Sequence, residues 1–153
     1  MIEVRARADA KRSSPSGPQS IGGSLIVTLD ADTLEGADLA TARLDFADLR
    51  GQSLRRADLR DASFTGADME SADLSNADLT CARLAGANLR NTILDGANLS
   101  DAHLDWADLA GADLSRANLT RTILRGAFCD DQTLWPTGYD WRKAGVVLRQ
   151  GGP

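Results

Sequence analysis

Residues 77–101 read ADLTC ARLAG ANLRN TILDG ANLSD, and this stretch decides the fold. Each group of five starts with a small residue, usually Ala, and has Leu in third place, which we call the centre. The spacing runs without insertion from residue 32 to residue 126, giving nineteen consecutive units of which seventeen are centred on Leu. Ala stands two places before the centre in fifteen units, and the exceptions are Asp32, Gln52, Thr92 and Thr122. A repeat this regular governs every later inference.

A period of five fits neither a helix nor a straight strand. Ala and Leu favour helix by propensity. Residues five apart nevertheless advance by about 140° around a helix, so the centres would point to every side. On a straight strand the Ala and the centre share one face, but the next Ala follows after an odd step and would point outward. Each unit is therefore predicted to be a short extended segment followed by a bend.

The residue two places after the centre supports the bend, and we call it the corner residue. Gly and Asn tolerate tight or left-handed backbone better than other residues. They occupy nine corners: Gly36, Gly51, Gly66, Gly86, Gly96, Gly111, Gly126, Asn76 and Asn91. A chain that bends the same way every five residues must coil, and stacked coils bury the Leu and Ala side chains together.

The pattern resembles the pentapeptide-repeat family, whose consensus is Ala-Asp/Asn-Leu followed by two variable residues, over about residues 27–128. The resemblance implies an all-β, right-handed quadrilateral β-solenoid with four units per coil. Counting weaker units around Leu29 and Cys129, we expect about five coils and a short C-terminal cap. The expected organisation is a disordered arm at 1–20, a solenoid at 21–129 and a cap or tail at 130–153.

Twenty residues per coil would stack residues twenty apart on one face. We name the four faces after their first centres: the Leu34, Leu39, Leu44 and Leu49 faces. Inward centres form the predicted core, and burial of each Leu contributes about 1.5–3 kcal/mol. Representative core residues are Leu54, Leu74 and Leu94 on the Leu34 face, Phe64 on the Leu44 face, and Met69 and Cys129 on the Leu49 face.

Both ends depart from the repeat. The arm is rich in Arg, Ser and Pro, which predicts disorder, and residues 21–29 are predicted to form a strand that starts the first coil. The tail resembles the Thr-hydrophobic-Trp-Pro-x-Gly-aromatic-Asp segment that closes many pentapeptide-repeat proteins. Leu134, Trp135 and Tyr139 are therefore expected to cover the last coil, with a short helix at 141–148. The alternative is that this tail joins two rods as a homodimer.

Composition and motifs argue against catalysis. The single His, His103, has no nucleophile at a defined spacing, and the many Asp residues fill a repeat position. Cys81 and Cys129 match no metal spacing, so no cofactor or metal is expected. A net charge of −5 argues against direct binding of nucleic acid. No apolar run reaches the length of a membrane helix, and no secretory signal is evident, so a cytoplasmic location is expected.

Outward positions are the candidate interaction surface. Asp38, Asp58 and Asp78 form a row on the Leu39 face, which has the largest negative excess. The corner column of the slightly basic Leu44 face carries Phe46 and Trp106, separated by glycines. We expect a non-catalytic scaffold that presents its faces to another protein, as a monomer or as a homodimer through the C-terminal end. The alternative, from resemblance to quinolone-resistance proteins, is a DNA mimic that binds a type II topoisomerase.

Overall fold

The computed structural model describes residues 2–5, 26–29 and 34–149. Parallel bridges join residues twenty apart along the solenoid, as in the series Asp38, Asp58 and Asp78, and the last bridge joins Asp113 to Leu134. Four units therefore complete one coil, and five coils stack between residues 34 and 129. The chain folds as the right-handed quadrilateral β-solenoid that the resemblance to the pentapeptide-repeat family implies.

Backbone hydrogen bonds run between coils and close each corner. In the unit centred on Leu59, the centre amide donates to Asp78 O at 2.8 Å, and the amide of the corner residue Asp61 donates to Thr80 O at 3.0 Å. Ala62 N then donates to Leu59 O at 3.1 Å, which closes a four-residue β-turn. Each unit is thus hydrogen-bonded to the neighbouring coils. The pairing along the solenoid consists of isolated β-bridges and not of long strands.

The corner residues of the nineteen units, except Arg116, have positive φ, as the third residue of a type II turn requires. This holds at the Gly and Asn corners and also at nine corners with other side chains, at φ of 55–62°: Thr41, Phe46, Arg56, Asp61, Ser71, Cys81, Asp101, Trp106 and Arg121. Such a conformation costs a non-glycine residue about 1–2 kcal/mol. Hydrogen bonds to neighbouring coils hold these corners: Thr41 N donates to Arg60 O and Asp61 N donates to Thr80 O, so the peptide bond before Asp61 is fixed from both sides.

The interior is a continuous column of apolar side chains. All twenty centres from Leu34 to Cys129 are buried, and these include Leu54, Phe64, Met69, Leu74 and Leu94. The polar inward residues Thr92 and Thr122 donate their hydroxyls to Met69 O (3.1 Å) and Leu99 O (2.8 Å). No buried side-chain nitrogen or oxygen in the described residues lacks a hydrogen-bond partner. The inward side chains of the coil are thus packed together or hydrogen-bonded.

The tail continues the solenoid for one partial layer after a one-residue insertion. Thr133 takes the inward position, with its hydroxyl bonded to Leu109 O at 2.9 Å. Leu134 pairs with Asp113 by backbone, but its side chain is 53% exposed, so it does not cover the last coil as expected. The half-buried Trp135 follows it and stacks on Tyr139 and Trp141, with ring centroids 5.7 and 6.3 Å away.

The expected helix at 141–148 is wrong. Residues 141–145 form turns, and β4 (Val147–Leu148) pairs in parallel with β3 (Phe128–Cys129). Gly145, at φ +81°, ends any helical path, and its carbonyl accepts a hydrogen bond from Gly126 N at 2.9 Å. The adjacent valines favour an extended backbone. Val146 is buried against the last coil, so this strand covers the Leu49 face of the end.

The N-terminal part departs from expectation in two respects. β1 (Ile2–Arg5) pairs in antiparallel with β2 (Ile26–Leu29), so the predicted disorder of the arm does not hold for residues 2–5. The predicted strand is present over its last four residues, but its partner is the arm and not a following coil. Residues 6–25, and Asp32 at the first inward position, lie outside the described part.

Candidate interaction faces

The outward residue before each centre has a structural task where it is Asp or Asn. Its side-chain oxygen accepts a hydrogen bond from the amide two residues later, as from Thr80 N to Asp78 Oδ1 at 3.0 Å. That amide has no backbone acceptor in the coil pattern, so the side chain supplies one. Eleven residues do this: Asp38, Asp48, Asp58, Asp68, Asp73, Asp78, Asn88, Asn98, Asp108, Asp113 and Asn118.

The acidic row of the Leu39 face is real but partly neutralised. Asp38, Asp58 and Asp78 occupy successive bridges of one column. Arg60 donates to Asp58 through Nε at 2.8 Å, and this side-chain hydrogen bond lowers the pKa of the Asp58 carboxyl. Asn98 continues the column and donates to Thr80 Oγ1 at 2.9 Å. The main role of this row is therefore to cap the turns, and its negative charge is partly neutralised.

The Leu44 face is different because its outward row contains neither Asp nor Asn. Arg43, Ser63, Arg83, His103 and Ile123 fill it. The local side-chain cap of the neighbouring turn is therefore missing. Of the amides left without it, Thr65 N is reached by Asp45 Oδ1 at 3.0 Å. Within residues 34–149, no group accepts a hydrogen bond from the remaining amides of this column: Asp45, Ala85, Asp105 and Arg125.

The same row holds the arginines without acidic partners. No carboxylate of the described chain lies within 4.0 Å of the exposed Arg43 or Arg83 guanidinium. Elsewhere on the solenoid the arginines are paired, as Arg121 is with Asp101 at 2.6 Å. His103 is exposed, with Nδ1 3.9 Å from an Asp105 carboxylate oxygen. The face therefore offers guanidinium groups that are free for an outside anion.

Phe46 and Trp106 mark the corner column beside this face. Their side chains are 60% and 61% exposed, and each ring lies against the glycine of the next coil. A Cβ built on Gly66 would stand 2.6 Å from the Phe46 ring, and one on Gly126 would stand 2.6 Å from the Trp106 ring. Gly86 lies between them with nothing within 4 Å of its Cβ position. The column thus alternates aromatic ledges with an open step.

The described residues hold no cluster of metal-ligating side chains. No group of three His, Cys, Asp or Glu side chains converges there on a possible metal position. Cys81 is exposed at a corner, whereas Cys129 is buried, and burial raises the pKa of the Cys129 thiol. Residues 34–149 and the two N-terminal strands include no helix long and apolar enough to cross a membrane.

The repeat and the four-sided coil agree with the comparisons. The family model for pentapeptide repeats matches eight copies, over residues 33–71, 42–80, 57–96, 82–121 and 97–128. The chain belongs to the pentapeptide-repeat family. No curated protein sequence matches it.

Two solved structures share both fold and sequence. A pentapeptide repeat protein from the Arabidopsis thaliana thylakoid lumen is 30% identical with a TM-score of 0.56, covering 72% of each chain. HetL, which is involved in heterocyst differentiation regulation in the cyanobacterium Nostoc sp. strain PCC 7120, is 34% identical with a TM-score of 0.54. The alignment with HetL covers 63% of this chain and 42% of HetL, so this chain spans less than half of that relative.

A third structure shares the fold alone. A trypsin-treated variant of QnrB1, a plasmid-mediated fluoroquinolone resistance protein, is 23% identical with a TM-score of 0.54. The match covers 73% of this chain and 57% of the QnrB1 chain. At this identity the likeness indicates a common solenoid and carries no statement about a shared partner.

Proposed function

We propose that the protein is a non-catalytic interaction module that presents the outer faces of its solenoid to another protein. The supporting observation is that the four faces share one apolar interior and one backbone pattern and differ in their outward rows. Inward side chains are occupied by packing, and the inward threonines are hydrogen-bonded. The side chains that distinguish one face of the solenoid from another therefore lie on its outer surface, where a partner can contact them.

The test labels each face in turn. A photo-crosslinking amino acid replaces one outward residue per face within a single coil: Asp73, Asp78, Arg83 or Asn88. We expect one face, or two adjacent faces, to give a defined adduct with one protein in host lysate. Excess unlabelled parent protein should compete that adduct away. Equal, non-competable labelling from all four faces would show that no surface is specialised and would remove the proposal.

The DNA-mimic alternative depends on the acidic row. Asp58 is engaged by Arg60, and the column ends in Asn98 and Asn118, so its charge is sparse beside the ~1.7 Å charge spacing of duplex DNA. The triple change Asp38→Asn, Asp58→Asn and Asp78→Asn keeps the caps and removes three charges. We expect no inhibition of gyrase supercoiling by the parent at micromolar concentration. Inhibition that the triple variant loses would establish the alternative.

Location and assembly belong to the same proposal. Two free thiols, Cys81 and Cys129, suit a reducing compartment such as the cytoplasm. The last layer exposes Leu134, Val147 and Leu148, which favours a homodimer through the C-terminal end over a monomer. Light scattering of the parent and of a Leu134→Ser, Val147→Thr variant tests the assembly. A parent that is monomeric at every concentration excludes this dimer.

A further inference from the structure

The Leu44 face has the opposite charge balance to the rest of the chain. The protein carries −5 overall, yet this face holds Arg43, Arg83 and Arg125 against Asp45 and Asp105. Both carboxylates are occupied: Asp45 accepts from Ser63 Oγ and Thr65 N, and Asp105 accepts from Arg125 at 3.4 Å. Arg43 and Arg83 face solvent with no carboxylate of residues 34–149 beside them.

Backbone donors accompany these guanidinium groups. The amides of Ala85, Asp105 and Arg125 lie in the column beside the row and donate to no acceptor in the part of the chain that the structure describes. A carboxylate is the acceptor that best satisfies such an amide next to an arginine, because hydrogen bonds to an ionised group are about twice as strong as neutral ones. The arginine side chains and the unbonded backbone amides would thus both bind a carboxylate.

Spacing adds a direction. Coils rise by about 4.8 Å, so Arg43 and Arg83, two coils apart, are separated by roughly 9.6 Å along the rod. An extended chain of the polyproline II type advances about 3.1 Å per residue with three residues per turn, so residues three apart match that separation and point to the same side. Between the Phe46 ring and Trp106 the Gly86 corner leaves an open step, with room for one apolar side chain.

We propose that the Leu44 face docks an extended acidic segment of a partner protein along the rod axis. Its carboxylates pair with Arg43, Arg83 and the free amides, and one apolar side chain sits on Gly86 between Phe46 and Trp106. This site rests on the proposed function and names its surface and partner chemistry. Nucleic acid is the less suitable anion because the other faces are acidic and repel a phosphate backbone.

The experiment uses the full-length ¹⁵N-labelled chain and a synthetic nonapeptide that has Leu at its centre and Glu at all eight remaining positions. Like-charge repulsion keeps this probe extended at pH 7. We expect titration to shift the amides of Ala85, Asp105 and Arg125 and the Trp106 indole. The same peptide with Gln in place of Glu should give no such shifts. Absence of shifts on this face at millimolar peptide overturns the proposal.

Paired variants separate the site from general electrostatics. Arg43→Gln with Arg83→Gln should weaken the affinity by about tenfold or more, because two charge-assisted contacts are lost. The matched control is Arg50→Gln with Arg90→Gln on the Leu49 face, whose arginines already pair with Asp48 and Asp108. It removes the same charge and should leave the affinity nearly unchanged. Equal weakening by the two pairs rejects a specific site.

A third variant tests the aromatic ledge. Trp106→Gly removes the ring and suits the positive φ of its corner, so the fold should persist, as circular dichroism can verify. We expect peptide affinity to fall several-fold, and unchanged affinity contradicts the role of the ledge. An oligonucleotide of equal charge that binds these amides more tightly than the peptide overturns the choice of partner.

This proposal and the proposed function fail separately. A competable crosslink from Asp73, Asp78 or Asn88 but not from Arg83 keeps the interaction module and rejects the Leu44 face. Peptide binding without a competable crosslink from any face keeps the acidic-segment site and rejects the module as proposed.

Discussion

The Leu39 and Leu44 faces share one scaffold and differ in one row. Both stack five inward centres in register, and both bridge residues twenty apart. On the Leu39 face, Asp and Asn cap every turn, and Arg60 and Arg121 pair with carboxylates. On the Leu44 face the caps are missing, and two arginines have no acidic partner in the described chain. The comparison teaches that the consensus Asp and Asn residues stabilise the backbone turns, whereas residues that depart from the consensus are available to bind a partner.

Breaking the register should have the largest effect. Deleting residues 72–91 removes one whole coil and restores all four faces. Deleting residues 77–81 rotates every later unit by one face, so the Leu44 row would sit below the Leu39 row and the cap would be displaced. We expect the longer deletion to unfold cooperatively in urea and the shorter one to lose far more stability. Equal tolerance of the two deletions would contradict a four-sided coil.

Uncovering the end should have the next largest effect. Trp135→Ala removes a half-buried ring stack and should cost about 2 kcal/mol, less than the 3–5 kcal/mol for a fully buried aromatic residue. Leu134→Ala is the control, since this side chain is mostly exposed, and its free energy of unfolding should stay within about 0.5 kcal/mol of the parent.

Because the Leu39 and Leu44 faces share one interior, Trp135→Ala should raise hydrogen exchange in the last coil on both faces. A rise on one face alone would show that the faces unfold separately.

Removing one cap should sharpen the comparison directly. Asp78→Ala leaves the Thr80 amide without its acceptor and should cost about 1 kcal/mol in urea unfolding. Asp78→Asn keeps an acceptor and should cost much less. Arg83→Ala, at the equivalent position of the Leu44 face, caps nothing and should be nearly neutral. A loss at Arg83 as large as at Asp78 would mean that the two rows share a structural role.

The smallest expected effect concerns acid. The Arg60 hydrogen bond lowers the pKa of Asp58 in the folded protein, and Arg121 does the same for Asp101. A lowered folded pKa adds stability above the unfolded value of about 3.9, and that addition is lost as the pH falls through the folded pKa. The melting temperature of the parent should therefore exceed that of Arg60→Gln with Arg121→Gln at pH 7, and the gap should close in acid. Arg83→Gln should show no such gap, and a constant gap for the double variant would assign the effect elsewhere.

Sequence reasoning reached the parts of the molecule that the period determines. Centres five residues apart follow from an unbroken pattern, and coils of twenty follow from the resemblance to the pentapeptide-repeat family, so the burial of Phe64 and Met69 in a column of leucines was predictable. Phe46 and Trp106 at positive φ were not, because local propensity disfavours aromatic residues there and the turns are held by hydrogen bonds to neighbouring coils, from Phe46 N to Thr65 O and from Trp106 N to Arg125 O. The composition of the Leu44 row was visible, but the free amides beside it depend on which side chains reach which turns.

The ends were harder for a different reason. A single inserted residue before Thr133 moves Leu134 outward and Trp135 inward. The segment is too short for a sequence pattern to predict this insertion. Gly145 and the valines after it turn the expected helix into a strand. The strand Ile2–Arg5 pairs across a long stretch of chain, and such long-range pairing leaves no local periodicity in the sequence.

The hydrogen bonds between coils have a mechanical consequence. They run along the rod axis, so a force that pulls the two ends apart loads each layer in series, and one coil can peel away while its neighbours remain folded. Each peeled coil frees twenty residues, or about 70 Å of extended chain. Stretching a single molecule from residue 34 to residue 149 should therefore give a staircase of evenly spaced extensions, which makes this protein a molecular tape that lengthens in uniform increments.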